Sequence, residues 1–182
     1  MPAWGYDILN LLFVLDEHNY TDQMPVIERY AVRGLICKNG LWAMQKSANG
    51  DYKIPGGGIE QGESIEQALV REVQEETGLV ILPKSIRAIG EVTEIREDIY
   101  EKGKKYIAHS YHYFCEVQEE VVATSMTKSE VAKGYHLAWA SIEDIIEGNK
   151  KYRKDRWVDR DVEFLKWLSQ HPESYRAGRG NI

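Results

Sequence analysis

Apolar and polar residues alternate over positions 106–117, YIAHSYHYFCEV, which predicts a long strand with His109 and Tyr111 on one face and His112 on the other. Positions 29–37, RYAVRGLIC, are rich in strand formers, Asn39-Gly40 is a hairpin signal, and 41–46 reads as the returning partner. Further strands are predicted at 86–95 and 135–140, with a charged loop at 96–105. The period lengthens over 64–77, where a helix is expected: Ser64 and Gln67 form a capping-box pattern, and Gly78 stands where a left-handed cap belongs. Ser141 caps a second helix at 142–147, and a third at 158–169 places Phe164, Leu165 and Leu168 on one face. The apolar run 8–15, ILNLLFVL, is too short to span a bilayer and lacks a basic leader and a cleavage site. It predicts an extra strand, followed by a turn at 16–19, packed on the domain or engaged in a subunit contact that would make a homodimer. Strands interleaved with three helices define an α/β or α+β class and no more.

The helix at 64–77 carries the informative pattern. At roughly 100° per residue, Glu72, Glu75 and Glu76 share a face with Ile65, Ala68 and Leu69, while Val70 and Gln74 point away. A solvated acidic face would lie opposite Ile65 and Leu69, so the glutamates are expected to turn toward the protein body. Carboxylates crowded there repel by about 1 to 4 kcal/mol per pair and raise one another's pKa. A divalent cation removes that penalty, and an oxygen-only ligand set suits Mg²⁺, with Mn²⁺ as a substitute. Just upstream, Pro55-Gly56-Gly57-Gly58 offers a backbone that a ligand can approach closely, or a plain turn between strand and helix. It is not a phosphate loop of the lysine type, because Glu63 stands where the lysine is required, nor is there a strand-borne G-x-G-x-x-G.

Together the turn and helix read G-x5-E-x7-R-E-U-x-E-E-x-G-U with U aliphatic, at Gly57, Glu63, Arg71, Glu72, Val73, Glu75, Glu76, Gly78 and Leu79. This stretch resembles the Nudix box at every fixed position. The resemblance implies a Nudix-type α/β/α sandwich with a mixed β-sheet, spanning 29–170, with 1–28 as an N-terminal extension packed on the core and 171–182 as a C-terminal tail. It implies a metal-dependent pyrophosphohydrolase cleaving a phosphoanhydride by water attack. On that resemblance Glu72, Glu75, Glu76 and the Gly56 carbonyl bind Mg²⁺, and a box glutamate or Glu130 takes the proton from water. Arg71 orients the cluster by pairing with Glu75 at i, i+4, and Glu63 reaches a metal-bound water or Arg71. Glu130, ahead of Trp139, resembles the acidic loop residue that many Nudix enzymes place there; it also reads as an ordinary solvated glutamate, and Glu119 and Glu120 are its reserves.

Composition narrows the partners. The net charge of −6 argues against stable nucleic-acid binding. Cys37 and Cys115 fall in predicted strands without metal-ligand spacing, which fits a reducing cytoplasm and thiols packed as small apolar groups. No membrane association is expected. Trp42, Tyr52, Tyr111 and Tyr113 either stack on a base or belong to the core, with the core favoured. Lys151, Arg153 or Lys154 reaches substrate phosphate, or the basic run 150–156 is a solvated lead-in to its helix, which is favoured. Patterns associated with coenzyme A, ADP-ribose and dinucleoside polyphosphate Nudix enzymes are missing, so a nucleoside diphosphate derivative and a damaged nucleoside triphosphate stay level as substrates. A catalytically silent nucleotide sensor and an interaction protein using the N-terminal strand are the alternatives; the intact box favours the enzyme.

Overall fold

The computed structural model of the chain describes residues 9–176. Ile8 of the expected first strand and positions 177–182 of the expected tail lie outside them.

Strand β1 (Leu11–Asp16) runs parallel to β7 (Arg87–Glu97), which pairs antiparallel with β8 (Lys105–Phe114), which in turn runs parallel to β2 (Val26–Leu35). The order β1-β7-β8-β2 is a mixed four-stranded sheet. A second sheet joins β10 (His136–Ala140), β4 (Leu41–Lys46) and β3 (Cys37–Lys38), all antiparallel, and β5 (Tyr52–Lys53) adds to β4. The expected hairpin is present: Asn39 and Gly40 take φ of 52° and 79°, as a tight turn between right-twisted strands requires. A two-stranded pair, β6 (Leu79–Ile81) with β9 (Val117–Val121), is an addition. The single strand expected at 106–117 ends at Phe114, so Cys115 lies between β8 and β9.

Helix α1 (Ile65–Thr77) starts from Ser64, whose Oγ accepts from the Gln67 amide at 3.1 Å while Gln67 Oε1 accepts from the Ser64 amide at 2.8 Å. It ends at Gly78, φ 74°, where a Cβ would also strike the Val122 carbonyl at 2.2 Å. A short helix α2 (Lys128–Ala132) stands where only a loop was expected, started by Thr127 and Glu130 as a capping box. Helices α3 (Ile142–Asn149) and α4 (Arg156–Gln170) follow, with a four-residue α5 (Glu173–Arg176).

The pleat divides the core in two. In β4, Ala43 faces a cluster with Val32, Leu69, Val73 and Tyr111 beneath α1, while Trp42 and Met44 face a cluster with Ile145, Phe164, Leu165 and Leu168 beneath α3 and α4. Helices on both faces of the strands make the α/β/α sandwich. Trp42, Tyr52, Tyr111 and Tyr113 are all less than 10% exposed, which places them in the core. Burying each large apolar side chain contributes about 1.5 to 3 kcal/mol, and the fully buried α4 stripe is the largest such block in the second cluster.

The box loop is fixed along the free edge of β2. Val32 donates to the Gly57 carbonyl at 2.9 Å, Gly34 to the Pro55 carbonyl at 2.8 Å, and Ile59 to the Tyr30 carbonyl at 3.0 Å. Among the described residues, no helix is long and apolar enough to cross a membrane.

Candidate active site

Two backbone requirements build the site. Gly56 has φ 137°, and a Cβ there would lie 2.1 Å from the Val32 carbonyl oxygen. Only glycine lets the turn close against β2 at this point. Gly57 needs no left-handed backbone, yet a Cβ there would lie 2.4 Å from the carboxyl carbon of Glu72. Its missing side chain is a cradle that the Glu72 carboxylate fills.

The α1 glutamates do turn toward the protein body, to different depths. Glu76 is 3% exposed; its Oε2 accepts from the Gly56 amide at 2.7 Å and its Oε1 from the Lys53 ammonium at 2.5 Å. Burial pushes its pKa up to about 7, against the pull of Lys53, the Gly56 amide and Arg33. Glu72 is mostly covered and Glu75 is the most open of the three.

Arg71 binds this acid cluster together, though its main partner is not Glu75. Its Nε and Nη2 take both oxygens of Glu63 at 2.7 and 2.8 Å, Nη1 reaches Glu72 at 2.8 Å, and Glu75 lies at 3.4 Å. Nη2 also donates to the Gly58 carbonyl at 3.1 Å. This fork holds the Glu63 carboxyl below its ordinary range, chiefly through the Arg71 hydrogen bonds, and keeps Arg71 charged at any pH of interest. Glu63 therefore meets Arg71, one of the two partners expected for it.

Glu130 comes to the same place from α2. Its Oε1 stands 3.6 Å from Lys53 Nζ, and its Oε2 accepts from the Thr127 amide at 2.9 Å and hydroxyl at 2.8 Å. Burial pulls its pKa upward, but those hydrogen bonds and Lys53 prevail and hold it below the ordinary value. Glu119 and Glu120, on β9, are exposed. Of the basic run, Arg153 is engaged by Asp159 and Glu163, each at 2.5 Å.

The support behind the loop comes from residues distant in the sequence. Asn149, fully buried at the end of α3, accepts from the Tyr52 amide at 2.7 Å and donates to the Tyr52 carbonyl at 2.9 Å. Asp161 on α4, also fully buried, accepts from the Ile54 amide at 2.9 Å. Two side chains thus replace a neighbouring strand for residues 52–54 and aim Lys53 at Glu76. Behind them Arg160 bonds Asp161 at 2.7 and 2.9 Å and Glu94 at 3.2 Å. Arg33 donates to the Gly56 carbonyl, and burial beside Arg160 lowers its pKa to about 10. Lys53 was legible as the polar residue between Tyr52 and Ile54 in a strand; Asn149 and Asp161 carried no local signal.

The donor chemistry fits a hard divalent cation: glutamate oxygens, a glycine cradle around one carboxylate, and a turn carbonyl with a second lone pair free. In the present arrangement Lys53 and Arg71 compensate the carboxylates, and among the described residues no three acidic, histidine or cysteine side chains converge on one point.

The layered fold and the box geometry define a Nudix-type domain, and comparison with known proteins agrees. A family profile described as the NUDIX domain matches residues 28–168, most of the chain, and the protein belongs to the Nudix family. The uncharacterized Nudix hydrolase YvcI of Bacillus subtilis is 30% identical over 122 residues, 67% of this chain and 71% of its own length. An ADP-ribose pyrophosphatase of Methanocaldococcus jannaschii is 41% identical over 63 residues, and the nucleoside triphosphatase NudI of Escherichia coli is 37% identical over 84. Those two matches span only 37% and 60% of the relatives' lengths. A NUDIX hydrolase structure from Nitrosomonas europaea superposes with a TM-score of 0.52 at 22% identity, covering 84% of this chain and 91% of that one, a likeness of fold.

Proposed function

We propose that the chain hydrolyses a phosphoanhydride bond in a nucleotide, either a nucleoside diphosphate derivative or a nucleoside triphosphate, with a divalent cation as cofactor. The observation that carries this reading is that the glycine turn receives two α1 carboxylates, Glu72 in the Gly57 cradle and Glu76 on the Gly56 amide, with Arg71 joining Glu72 to the more open Glu75. These glutamates and the Gly56 carbonyl would hold Mg²⁺ or Mn²⁺. When bound, the cation supplies charge neutralisation at the phosphate oxygens and lowers the pKa of water. Arg71 fixes the cluster by spanning Glu63, Glu72 and the Gly58 carbonyl. Lys53 stands between Glu76 and Glu130, so it balances whichever of the two is ionised.

The proton from the attacking water goes to a glutamate. Glu76 beside Lys53, and Glu130 held by Thr127 on the other side of Lys53, are the two carboxylates placed for this, and a bound cation would lower the basicity of whichever one it holds. The relatives named for ADP-ribose and for nucleoside triphosphates support a nucleotide substrate without choosing between them.

The test is a product-release screen against ADP-ribose, nucleotide sugars, dinucleoside polyphosphates and oxidised nucleoside triphosphates, each with Mg²⁺ and with chelator. Cation-dependent turnover that falls by about 10² or more in Glu76→Gln is expected. Metal binding without turnover of any member would replace the enzyme by a nucleotide sensor.

A further inference from the structure

A polar cavity of about 520 Å³ opens between the α4 face of the mixed sheet and the start of α4. Arg29 and Arg96 enter it from β2 and β7, and Lys154, Arg156 and Arg160 from the other wall. Three carboxylates also line it, and two of those are already committed. Glu94 bonds Arg160 at 3.2 Å, and Asp98 accepts from the Tyr100 and Glu101 amides at 2.7 and 2.6 Å. Arg156 pairs with Glu17. That leaves Arg29, Arg96 and Lys154 with no carboxylate at ion-pair distance among the described residues, although the Asp98 charge still acts on Arg96 and the exposed Asp155 lines the same wall.

Arg96 is the telling member. It is 8% exposed, its guanidinium lies 4.2 Å over the Tyr106 ring, and its Nε has no hydrogen-bond partner among the described residues. Its Nη1 donates to the Glu97 carbonyl at 3.1 Å, while the unpaired Nε is enclosed, so a small turn of the guanidinium toward the cavity is what lets a bound oxyanion recover the cost of that donor. The start of α4 adds to the field: Asp155 caps it with no side-chain hydrogen bond, and the first-turn amides at Arg156 and Trp157 have no acceptor within the helix. The cavity is several times larger than a phosphate group, and Tyr106, Trp157 and the 88% exposed Tyr100 line the remainder. Its shape asks for an anion attached to an organic body with a ring.

We propose that this cavity is a phosphomonoester-binding site, in which Arg29, Arg96, Lys154 and the α4 amides hold the phosphate and the aromatic wall takes the attached ring. Arg29 also borders the box, since its guanidinium nitrogens lie 3.7 and 3.9 Å from where a Gly58 Cβ would stand. The phosphate therefore belongs either to the far end of an elongated substrate or to a separate regulatory ligand. The site itself does not depend on the turnover proposed above; only the first of these sources does.

The experiment titrates the full chain with inorganic phosphate and with phenyl phosphate at constant ionic strength. Chelator is present so that cation-held phosphate does not contribute, and binding is read by calorimetry and amide chemical shifts. Saturable binding is expected, tighter for phenyl phosphate, and weakened about tenfold or more in the Arg29→Ala/Lys154→Ala double variant, as the loss of charge-assisted bonds predicts. Both side chains are exposed, so the variant retains its fold. Absence of saturable binding, or unchanged affinity in the double variant, overturns the proposal. Where a nucleotide is turned over, competition by phenyl phosphate with a raised KM in the double variant assigns the phosphate to substrate. A changed kcat without competition assigns it to a separate ligand.

Discussion

Replacing Gly57 with alanine separates the cradle's chemical role from its structural one. The new Cβ would lie 2.4 Å from Cδ and Oε2 of Glu72 and 2.5 Å from Oε1. Ordinary contact is about 3.5 Å or more, so the carboxylate must withdraw by roughly 1 Å. Because Glu72 also pairs with Arg71 at 2.8 Å, the fork moves with it. A displacement of about 1 Å at a reacting centre costs on the order of 10² in rate. The backbone at Gly57 lies outside the left-handed region, and the stiffer unfolded chain returns about 0.4 to 1 kcal/mol, so Tm should stay within a few degrees of wild type. Gly56→Ala is the contrast: its Cβ meets the Val32 carbonyl at 2.1 Å and the fold itself should suffer. The assay pairs kcat at saturating Mg²⁺ and Mn²⁺ with a thermal melt of each variant. Undiminished turnover in Gly57→Ala at an unchanged cation requirement would refute the assignment of Glu72 to the site.

Asn149→Ala strips both hydrogen bonds from Tyr52 and should cost about 2 to 4 kcal/mol in a urea titration; a loss below about 1 kcal/mol would show that water replaces it. Asp161→Leu leaves Arg160 buried with Glu94 alone and should cost about 3 to 5 kcal/mol, whereas Glu94→Leu/Arg160→Leu/Asp161→Leu should recover most of that stability but not turnover. The Glu91 carboxyl is held below its ordinary 4.5 chiefly by the His109 ring at 2.6 Å, so its contribution is complete above that value and is lost as pH falls through the lower folded one. Glu91→Gln should flatten the acid side of the Tm–pH curve, and an unchanged slope would remove the pair from the account. Burial pushes the Cys115 thiol up to about 12, so it should resist a thiol reagent at pH 8 in the folded protein and react on unfolding; labelling of the folded chain at Cys115, read by peptide mass, would contradict its burial.

Local signals carried most of α1 and its turn. Ser64, Gln67 and Gly78 act through neighbours in the chain, so their roles are written within a few residues, and the phase of Glu72, Glu75 and Glu76 follows from helical geometry. Phase could show which way the glutamates face but not that Glu76 would be far deeper than Glu75, because depth is set by the Gly56 amide and Lys53 from another segment. The i, i+4 rule likewise put Arg71 on Glu75, whereas the folded loop offers Glu63, eight residues away, with two well-placed oxygens. Alternation in 106–117 hid the break after Phe114, where β8 ends and β9 begins pairing with β6. Thr127 and Glu130 formed a capping box that the short, exposed α2 made easy to read as loop.

The part that no local rule exposes is the chain of need running from a single amide into the core. Strand β5 has two paired residues, so its ladder with β4 cannot fix the loop that follows. The opposite edge of residues 52–54 is met by helices, and side chains serve there: Asn149, the last residue of α3, for Tyr52, and Asp161, within α4 where the backbone groups are already paired, for Ile54. A buried carboxylate demands a cation, which brings Arg160, and a buried guanidinium demands further acceptors, which brings Glu94 across from β7. Apolar residues would pack that layer at lower cost in stability, yet they could not take the Ile54 amide. Ile54 lies two residues from Gly56, whose amide holds Glu76 and whose carbonyl meets Arg33. The buried charges are therefore best understood as the means by which a two-residue strand presents Lys53 and the glycine turn to the carboxylates of α1.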